Sequence, residues 1–268
     1  MNPPDLSTYL SRPSPIEAEL RRLFRADAPL VIFDVGACEG EESVRYFRLF
    51  PRARILAFEP LPGNQALVRA NFERYRVHTA ELVPLALSDR SGEATFHVSS
   101  GRPPREFAGG DWNYGNKSSS LLAPANSAPM YGWIEFKETV TVTTETLDRV
   151  CAERGIGRID FLHMDVQGAE HLVLAGGAKM LPRIASLWLE VSDRELYRDQ
   201  KLRREIEEFL RRQGFALGFE VRREIEGDQF YVNRRCLRSW PYLAANRFRG
   251  AVAQVRQAGG RLKSRLLA

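Results

Sequence analysis

No stretch of this 268-residue chain comes near the roughly 20 apolar residues that a membrane span needs. Its opening residues, MNPPDLSTYLSRPSPIEAEL, lack the charged-then-apolar layout of an export leader. Cysteine is scarce: Cys38, Cys151 and Cys236 are odd in number, far apart and in no metal-ligand spacing. That argues against a disulfide scaffold and a zinc module, and a reduced, cytoplasmic setting is expected, with no bound metal. Acid is missing altogether after Asp228, where nine lysines and arginines follow between Arg234 and Arg265. The net charge of +5 therefore belongs to a tail, and the remainder of the chain is net acidic. A dinucleotide fingerprint is absent too. The positions that G-x-G-x-x-G would fill after Gly36 hold Cys38 and Glu41.

What is present is an ordinary globular composition, 44% hydrophobic and 27% charged. Residues 1–29 form an N-terminal extension with one short amphipathic helix, PIEAELRRLF, whose Ile16, Leu20, Leu23 and Phe24 share a face. From Leu30 the pattern alternates. LVIFDV, RILAFEP, ELVPLAL, IDFLHMDV and IASLWLEV read as strands, with EESVRYFRLF, NQALVRANFERY, LDRVCAERG and EHLVLAGGAKML as helices among them. Strands joined by single helices imply right-handed crossovers and a parallel sheet covered on both faces.

GEATFHV and FKETVTVTTETL alternate like half-exposed strands and bracket an irregular insert, residues 99–134, containing Trp112, Tyr114, Tyr131 and Trp133. A loop of that length with that aromatic content reads as a lid or substrate surface. After the helix DQKLRREIEEFLRRQG, FALGFEV and DQFYVNR can pair as an antiparallel hairpin across a short turn. The fold class is α/β: a mostly parallel, Rossmann-like sheet ending in an antiparallel hairpin, with helices on both faces. One domain spans 30–234, and a basic tail follows at 235–268.

In open sheets of this kind ligands lie beyond the carboxyl ends of the strands. The first strand ends at Asp34-Val35 and runs into the turn from Gly36 to Gly40. Glycine permits that turn and a close approach to a ligand. Glu59 ends the second strand, where an acid accepts hydrogen bonds from both ribose hydroxyls of a nucleoside. Glu39, Glu41 and Glu42 place negative charge where a pyrophosphate would sit, which disfavours NAD. A phosphate-free ligand with a positive centre suits the turn better, and S-adenosylmethionine is one. Two further strands end in acids, with His163 and Asp165 in FLHMDVQGAEHLVLAGG and Glu190 in LWLEVS. Strand alternation puts Phe161, His163 and Asp165 on one face.

Taken in order, FDVGACEGEES, FEPLPGNQALVRAN, LALSDRSGEATF, SSSLL, TVTTETLD, IDFLHMDVQGAEHLVLAGG and LWLEVS resemble the FkbM family of S-adenosylmethionine-dependent methyltransferases. The resemblance covers about residues 30–192. It implies the class I methyltransferase fold and O-methylation of a hydroxyl on a sugar, glycolipid or related natural product. By motif it implies that Asp34, Gly36, Ala37 and Gly40 hold the methionine part of the cofactor, with Ser43 nearby in the same site. Glu59 would take the ribose, while Ser88 and Asp89 lie along the adenine. Cys38 stands where the family usually has asparagine, and His163 where lysine is common.

Catalysis in such a site is chiefly alignment, together with removal of the acceptor's proton. Asp165 is the first candidate for that base, followed by His163 and then Glu190. Asn116, Lys117, Ser118, Ser119 and Ser120 are candidates for shaping the acceptor pocket. The tail could rest on an anionic membrane surface, since Phe248, Val252, Val255, Leu262 and Leu266 fall near one stripe. Two rivals remain open. A nucleic-acid methyltransferase would use the tail for phosphates, but MDVQG is not the Asn/Asp-Pro-Pro-aromatic segment of base amino-methylases. The other is a non-catalytic nucleoside-binding module, against which the strand-end acids argue.

Overall fold

Short β-branched and aliphatic runs between amphipathic stretches fold largely as their periodicity predicts. The computed structural model describes residues 6–102, 114–125, 132–236 and 241–245. The first half holds α1 (Ser7–Ser11), α2 (Glu17–Leu23), β1 (Val31–Val35), α3 (Glu41–Leu49), β2 (Arg54–Phe58), α4 (Pro62–Arg74), β3 (Ala80–Val83), β4 (Ala86–Ser88) and β5 (Gly92–Ser100). The second half holds β6 (Glu135–Thr146), α5 (Leu147–Glu153), β7 (Ile159–Met164), α6 (Glu170–Ala175), β8 (Ile184–Ser192), α7 (Arg203–Arg212), β9 (Phe215–Arg222) and β10 (Glu226–Asn233).

Seven strands form the main sheet in the order β3-β2-β1-β7-β8-β10-β9. The first five are parallel, and β10 runs antiparallel to both its neighbours. Strand order reverses between β1 and β7, so the crevice for a ligand opens at their carboxyl ends. Alternate side chains fill two cores. Phe33, Leu56, Leu162 and Leu187 pack with Val150, Leu174 and Leu210 of α5, α6 and α7. Ile32, Ile55, Phe161, Trp188 and Phe230 pack on the other face with Tyr46 of α3.

Ile16, Leu20 and Phe24 of the N-terminal extension belong to that second core and are all buried. Each such side chain is worth roughly 1.5–3 kcal/mol when fully buried, so the extension is part of the packing. Arg45 of α3 ties it down, donating from Nη1 to the Arg12 carbonyl at 2.8 Å and to Glu17 at 2.7 Å.

Three expected elements differ. ELVPLAL is two strands rather than one: β3 stays in the main sheet, while β4 leaves it after Pro84 and joins β6 and β5 in a second, three-stranded sheet. Proline has no N–H to give to a ladder, so the strand breaks there. The helix expected over EHLVLAGGAKML ends at Ala175, because Gly176 and Gly177 pass against the Ser88 carbonyl and the Leu147 side chain, where a Cβ would collide. The strand expected over IDFLHMDV stops at Met164, which leaves Asp165 just outside the sheet and exposed.

Candidate functional site

The turn after β1 needs its glycines. Gly36 has φ +84°, and a Cβ there would strike the carbonyl oxygen of Asp165, where the turns after β1 and β7 touch. Gly40, at φ +79°, lies against Phe72 and Val68. The turn uses its own amides. Gly36 and Ala37 donate to the Phe58 carbonyl, Gly40 to Ala37, Cys38 to Glu59 and Glu39 to the Glu41 side chain.

Glu59 is buried and accepts from the backbone N–H groups of Cys38 and Leu61, each at 2.9 Å. Burial pushes its carboxyl up to about 7, against the pull of those two amides. Glu59, Gly36 and Asp165 line one cleft together with Asn64, Leu85, Ala86, Leu87, Phe96 and Leu121. Ser88 is buried in β4 and donates to Asp89, which begins the turn beyond. The cleft wall is thus formed by the residues just before Ser88 and Asp89, and these two are not part of it.

Two acids of the turn pair with cations and the third meets an amide. Glu42 pairs with Arg45 at 3.0 Å and accepts from Tyr9. Glu41 pairs with Lys117. Glu39 Oε1 accepts from Asn116 at 3.1 Å, and burial raises its carboxyl. Asn116 and Lys117 come from the segment 114–121, whose residues 116–120 are expected on the acceptor side; the structure folds the segment over the glycine turn and the cleft. Ser99 anchors it, accepting from Ser118 N at 3.0 Å and donating to the Gly115 carbonyl at 2.6 Å. Ser119 holds Ser99 N, and Ser120 donates to the Gln167 carbonyl at 2.8 Å. Of the aromatics expected on a lid, Trp112 and Tyr131 lie outside the described residues, while Trp133 is half-buried. The membrane reading of the tail likewise falls on residues outside the described ones.

The four strand-end acids come from the adjacent strands β2, β1, β7 and β8, but they do not share one space. Asp34 is sealed beneath the cleft, accepting from Ser43 Oγ at 2.6 Å and lying 3.1 Å from His163 Nδ1. Burial pulls the His163 imidazole down, yet the hydrogen bond and charge of Asp34 outweigh it and push it up to about 9. At neutral pH His163 is therefore an imidazolium, which is a poor base. Gln167 bridges the other two acids, donating to Asp165 at 2.6 Å and to Glu190 at 3.1 Å.

Beyond Gln167 lies a polar cluster around Glu190 whose other members sequence reasoning missed. Asp228 faces Glu190 directly across the β8–β10 pair, Arg223 donates to Asp228 at 2.7 Å, and Tyr197 OH reaches Gln167 at 3.2 Å. Burial, and then the charge of Asp165, hold the Glu190 carboxyl well above its ordinary range; burial also raises Glu226 and Asp228. The signal for Asp228 was available as a charged position within a hairpin strand, but nothing local tied it to Glu190. Among the described residues no group of three His, Cys, Asp or Glu side chains is arranged to hold a metal ion. Nor is any described helix long and apolar enough to cross a membrane.

The profile of the Methyltransferase FkbM domain matches residues 34–217. The chain is 36% identical over 208 residues to the 2-O-methyltransferase NoeI of Sinorhizobium fredii, covering 76% of this chain and 80% of that protein. It is 33% identical over 181 residues to the 31-O-demethyl-FK506 methyltransferase FkbM of Streptomyces tacrolimicus, covering 61% and 65% respectively. Among solved structures, an rRNA methylase from Streptococcus thermophilus aligns over 82% of this chain and 97% of its own, at 11% identity and a TM-score of 0.46.

Proposed function

This chain belongs to the FkbM methyltransferase family and depends on S-adenosylmethionine, and from that premise we propose that it methylates a hydroxyl group of a sugar or a related polyhydroxylated small molecule. The observation that carries the reading is one cleft with Glu59 at its β2 wall and Asp165 at its β7 wall, beside a cluster of hydrogen-bonding side chains. O-Methylation is supported by NoeI, a 2-O-methyltransferase over most of the shared length. A polyhydroxylated acceptor is supported by Gln167, Tyr197, Arg223, Glu190 and Asp228, which offer both donors and acceptors in one place.

The residues present fit the cofactor. Glu59 has room on its carboxylate oxygens for the ribose diol beside the two amides it already holds. Leu85, Leu87, Phe96 and Leu121 supply apolar walls for an adenine. Gly36, Ala37 and Gly40 keep the turn open to the methionine part, and Asp34, with Ser43, supports that turn from below. Ser88 and Asp89 support the adenine wall at the far end of β4. Two buried acceptor atoms near the cleft, Asn116 Oδ1 and Glu39 Oε2, have no protein donor and suit a cationic amine.

When bound, the cofactor supplies an electrophilic methyl group on a sulfonium. The chain's own task is to orient the acceptor hydroxyl and receive its proton. Asp165, exposed at the cleft wall, is that proton acceptor. Glu190, whose carboxyl burial holds well above its ordinary range, positions the acceptor through hydrogen bonding. His163 acts through Asp34 to position the turn.

Calorimetric titration with S-adenosylhomocysteine and NADH, on the wild type and Glu59→Ala, tests the cofactor site. Micromolar binding of the adenosyl ligand alone, weakened by the substitution, is expected. A screen of saccharide acceptors for methyl transfer then tests the acceptor class, and transfer only to amines or nucleic acid would overturn it.

A further inference from the structure

The cofactor site as read above leaves one part of its ligand without a recognised partner. S-Adenosylmethionine ends in an α-amino acid, and its carboxylate needs a hydrogen-bond donor or a cation. Glycine turns of this kind offer that through free backbone amides. Here the amides of Gly36, Ala37, Cys38, Glu39 and Gly40 are all engaged, on the Phe58 and Ala37 carbonyls and on the carboxylates of Glu59 and Glu41. The turn is also flanked by Glu39, Glu41 and Glu59, which repel a carboxylate.

Among the described residues that line the cleft, Lys117 is the one cation. It reaches over the glycine turn to Glu41 and lies 3.8 Å from Cys38 Sγ, with its side chain 25% exposed. Burial pulls its ammonium down, but Glu41, Cys38 and Glu39 hold it above its ordinary value. Its neighbour Asn116 spends its Nδ2 on Glu39 and Asn64, at 3.1 and 3.2 Å. That leaves Asn116 Oδ1 turned inward with no donor, beside Glu39 Oε2 in the same condition. A buried orphan acceptor costs stability unless something donates to it.

A cation next to orphan acceptors is the complement of a zwitterion. Resting on the cofactor reading above, we infer that Lys117 and Asn116 form the receptor for the amino-acid end of the cofactor, with Lys117 taking the carboxylate and Asn116 Oδ1 the ammonium. The segment 114–121 then belongs to cofactor recognition. Hydrogen bonds and close packing define its position. Ser99 holds it on one side, Ser120 and Tyr197 on the other, and Gly115 lets the chain pass so close to Gly101 that a Cβ would collide.

The test is calorimetric and uses two ligands on the intact chain: S-adenosylhomocysteine, and its analogue lacking only the carboxylate. On the wild type, loss of the carboxylate is expected to weaken binding about 10- to 100-fold, the range for a charged hydrogen bond. Lys117→Met is expected to weaken S-adenosylhomocysteine by a similar factor while leaving the decarboxylated analogue unchanged. Lys117→Arg, which retains the cation, should recover most of the loss. Equal binding of both ligands by the wild type overturns the inference and needs no variant. Equal weakening of both ligands by Lys117→Met also overturns it, since that is the signature of a merely structural tie to Glu41. Failure of the wild type to bind either ligand would instead remove the cofactor reading on which the inference rests.

Discussion

His163 Nδ1 lies 3.1 Å from Asp34 Oδ1, joining neighbouring positions of β1 and β7 whose residues are 129 apart in the chain. Ser43 Oγ, from the first turn of α3, donates to the other oxygen of the same carboxylate. Strand, strand and helix are thus fastened at one buried charge directly under the glycine turn. Tyr46 closes the space from the side, its ring centre 5.8 Å from that of His163.

Removing one member of a buried pair leaves the other charge uncompensated, at a cost of about 3–5 kcal/mol. His163→Phe should therefore lower unfolding free energy by about that much in urea titration. Asp34→Asn in the same background should restore part of it. A single-variant loss below about 1 kcal/mol would mean that the His163–Asp34 contact is not a stabilising charged pair.

Gly36→Ala meets two obstacles at once, a φ of +84° and the Asp165 carbonyl. Both lie in backbone that neighbouring strands hold, so neither can yield cheaply. A destabilisation of more than about 2 kcal/mol is expected. S-Adenosylhomocysteine should then give less thermal protection than it gives the wild type. A variant with wild-type melting and ligand shift would show that the two turns move apart freely.

Asp165 and Glu190 should respond differently to amide substitution. If Asp165 receives the proton, Asp165→Asn lowers kcat by about 10²- to 10⁴-fold, with S-adenosylhomocysteine affinity little changed. Burial holds the Glu190 carboxyl well above its ordinary range, so Glu190→Gln, which keeps the shape and can donate, should cost far less in kcat than Asp165→Asn. The reverse order, measured with any accepted hydroxyl substrate, would exchange the two roles.

If Glu59 holds the ribose, cofactor binding depends on pH. Burial pushes its carboxyl up to about 7, and both ribose hydroxyls can donate to its two oxygens only when it is ionised. Binding therefore favours the deprotonated form. Affinity is full above about pH 7 and falls as the pH drops below that value, by up to about tenfold per unit. Glu59→Gln should bind more weakly and show a flat profile over the same window. Affinity that rises on acidification would contradict the assignment.

The same groups set a trend in stability without ligand. The unfolded Glu59 titrates near 4.5 and the folded one near 7, so the folded state takes up its proton first as pH falls. Glu170, which burial raises to about 8, behaves alike. His163, raised from 6.5 to about 9, contributes stability that is complete below 6.5 and lost as pH rises through 9. All three act in one direction, and thermal unfolding should show higher melting temperatures near pH 5–6 than near pH 9. A maximum at alkaline pH would show that these shifts do not govern the protein.

Local pattern sufficed for much of this architecture. Alternating apolar runs and amphipathic helices specify β1, α3, β2, β7, β8 and the β9–β10 hairpin, because the face a residue presents depends only on its place in a strand or helix. The positions of Glu59 and Asp165 follow from the same logic, since an acid at the carboxyl end of a parallel strand must lie at the ligand edge. Pro84 was readable as a breaker, but the partner that β4 acquires, β6, lies some 60 residues away and has no local signature.

By itself, then, the sequence determined the sheet, its ligand edge and the chemical character of the cleft. Which acids remain open, which are sealed and which cation answers them was decided only in the tertiary structure. Asp34 is closed off by a histidine 129 positions later, Glu190 meets Asp228 through the hairpin register, and Lys117 crosses from an insert to the glycine turn. Periodicity reports how each residue is buried along its own element. The pairing of charges depends on distances between elements, and only the packed chain has those.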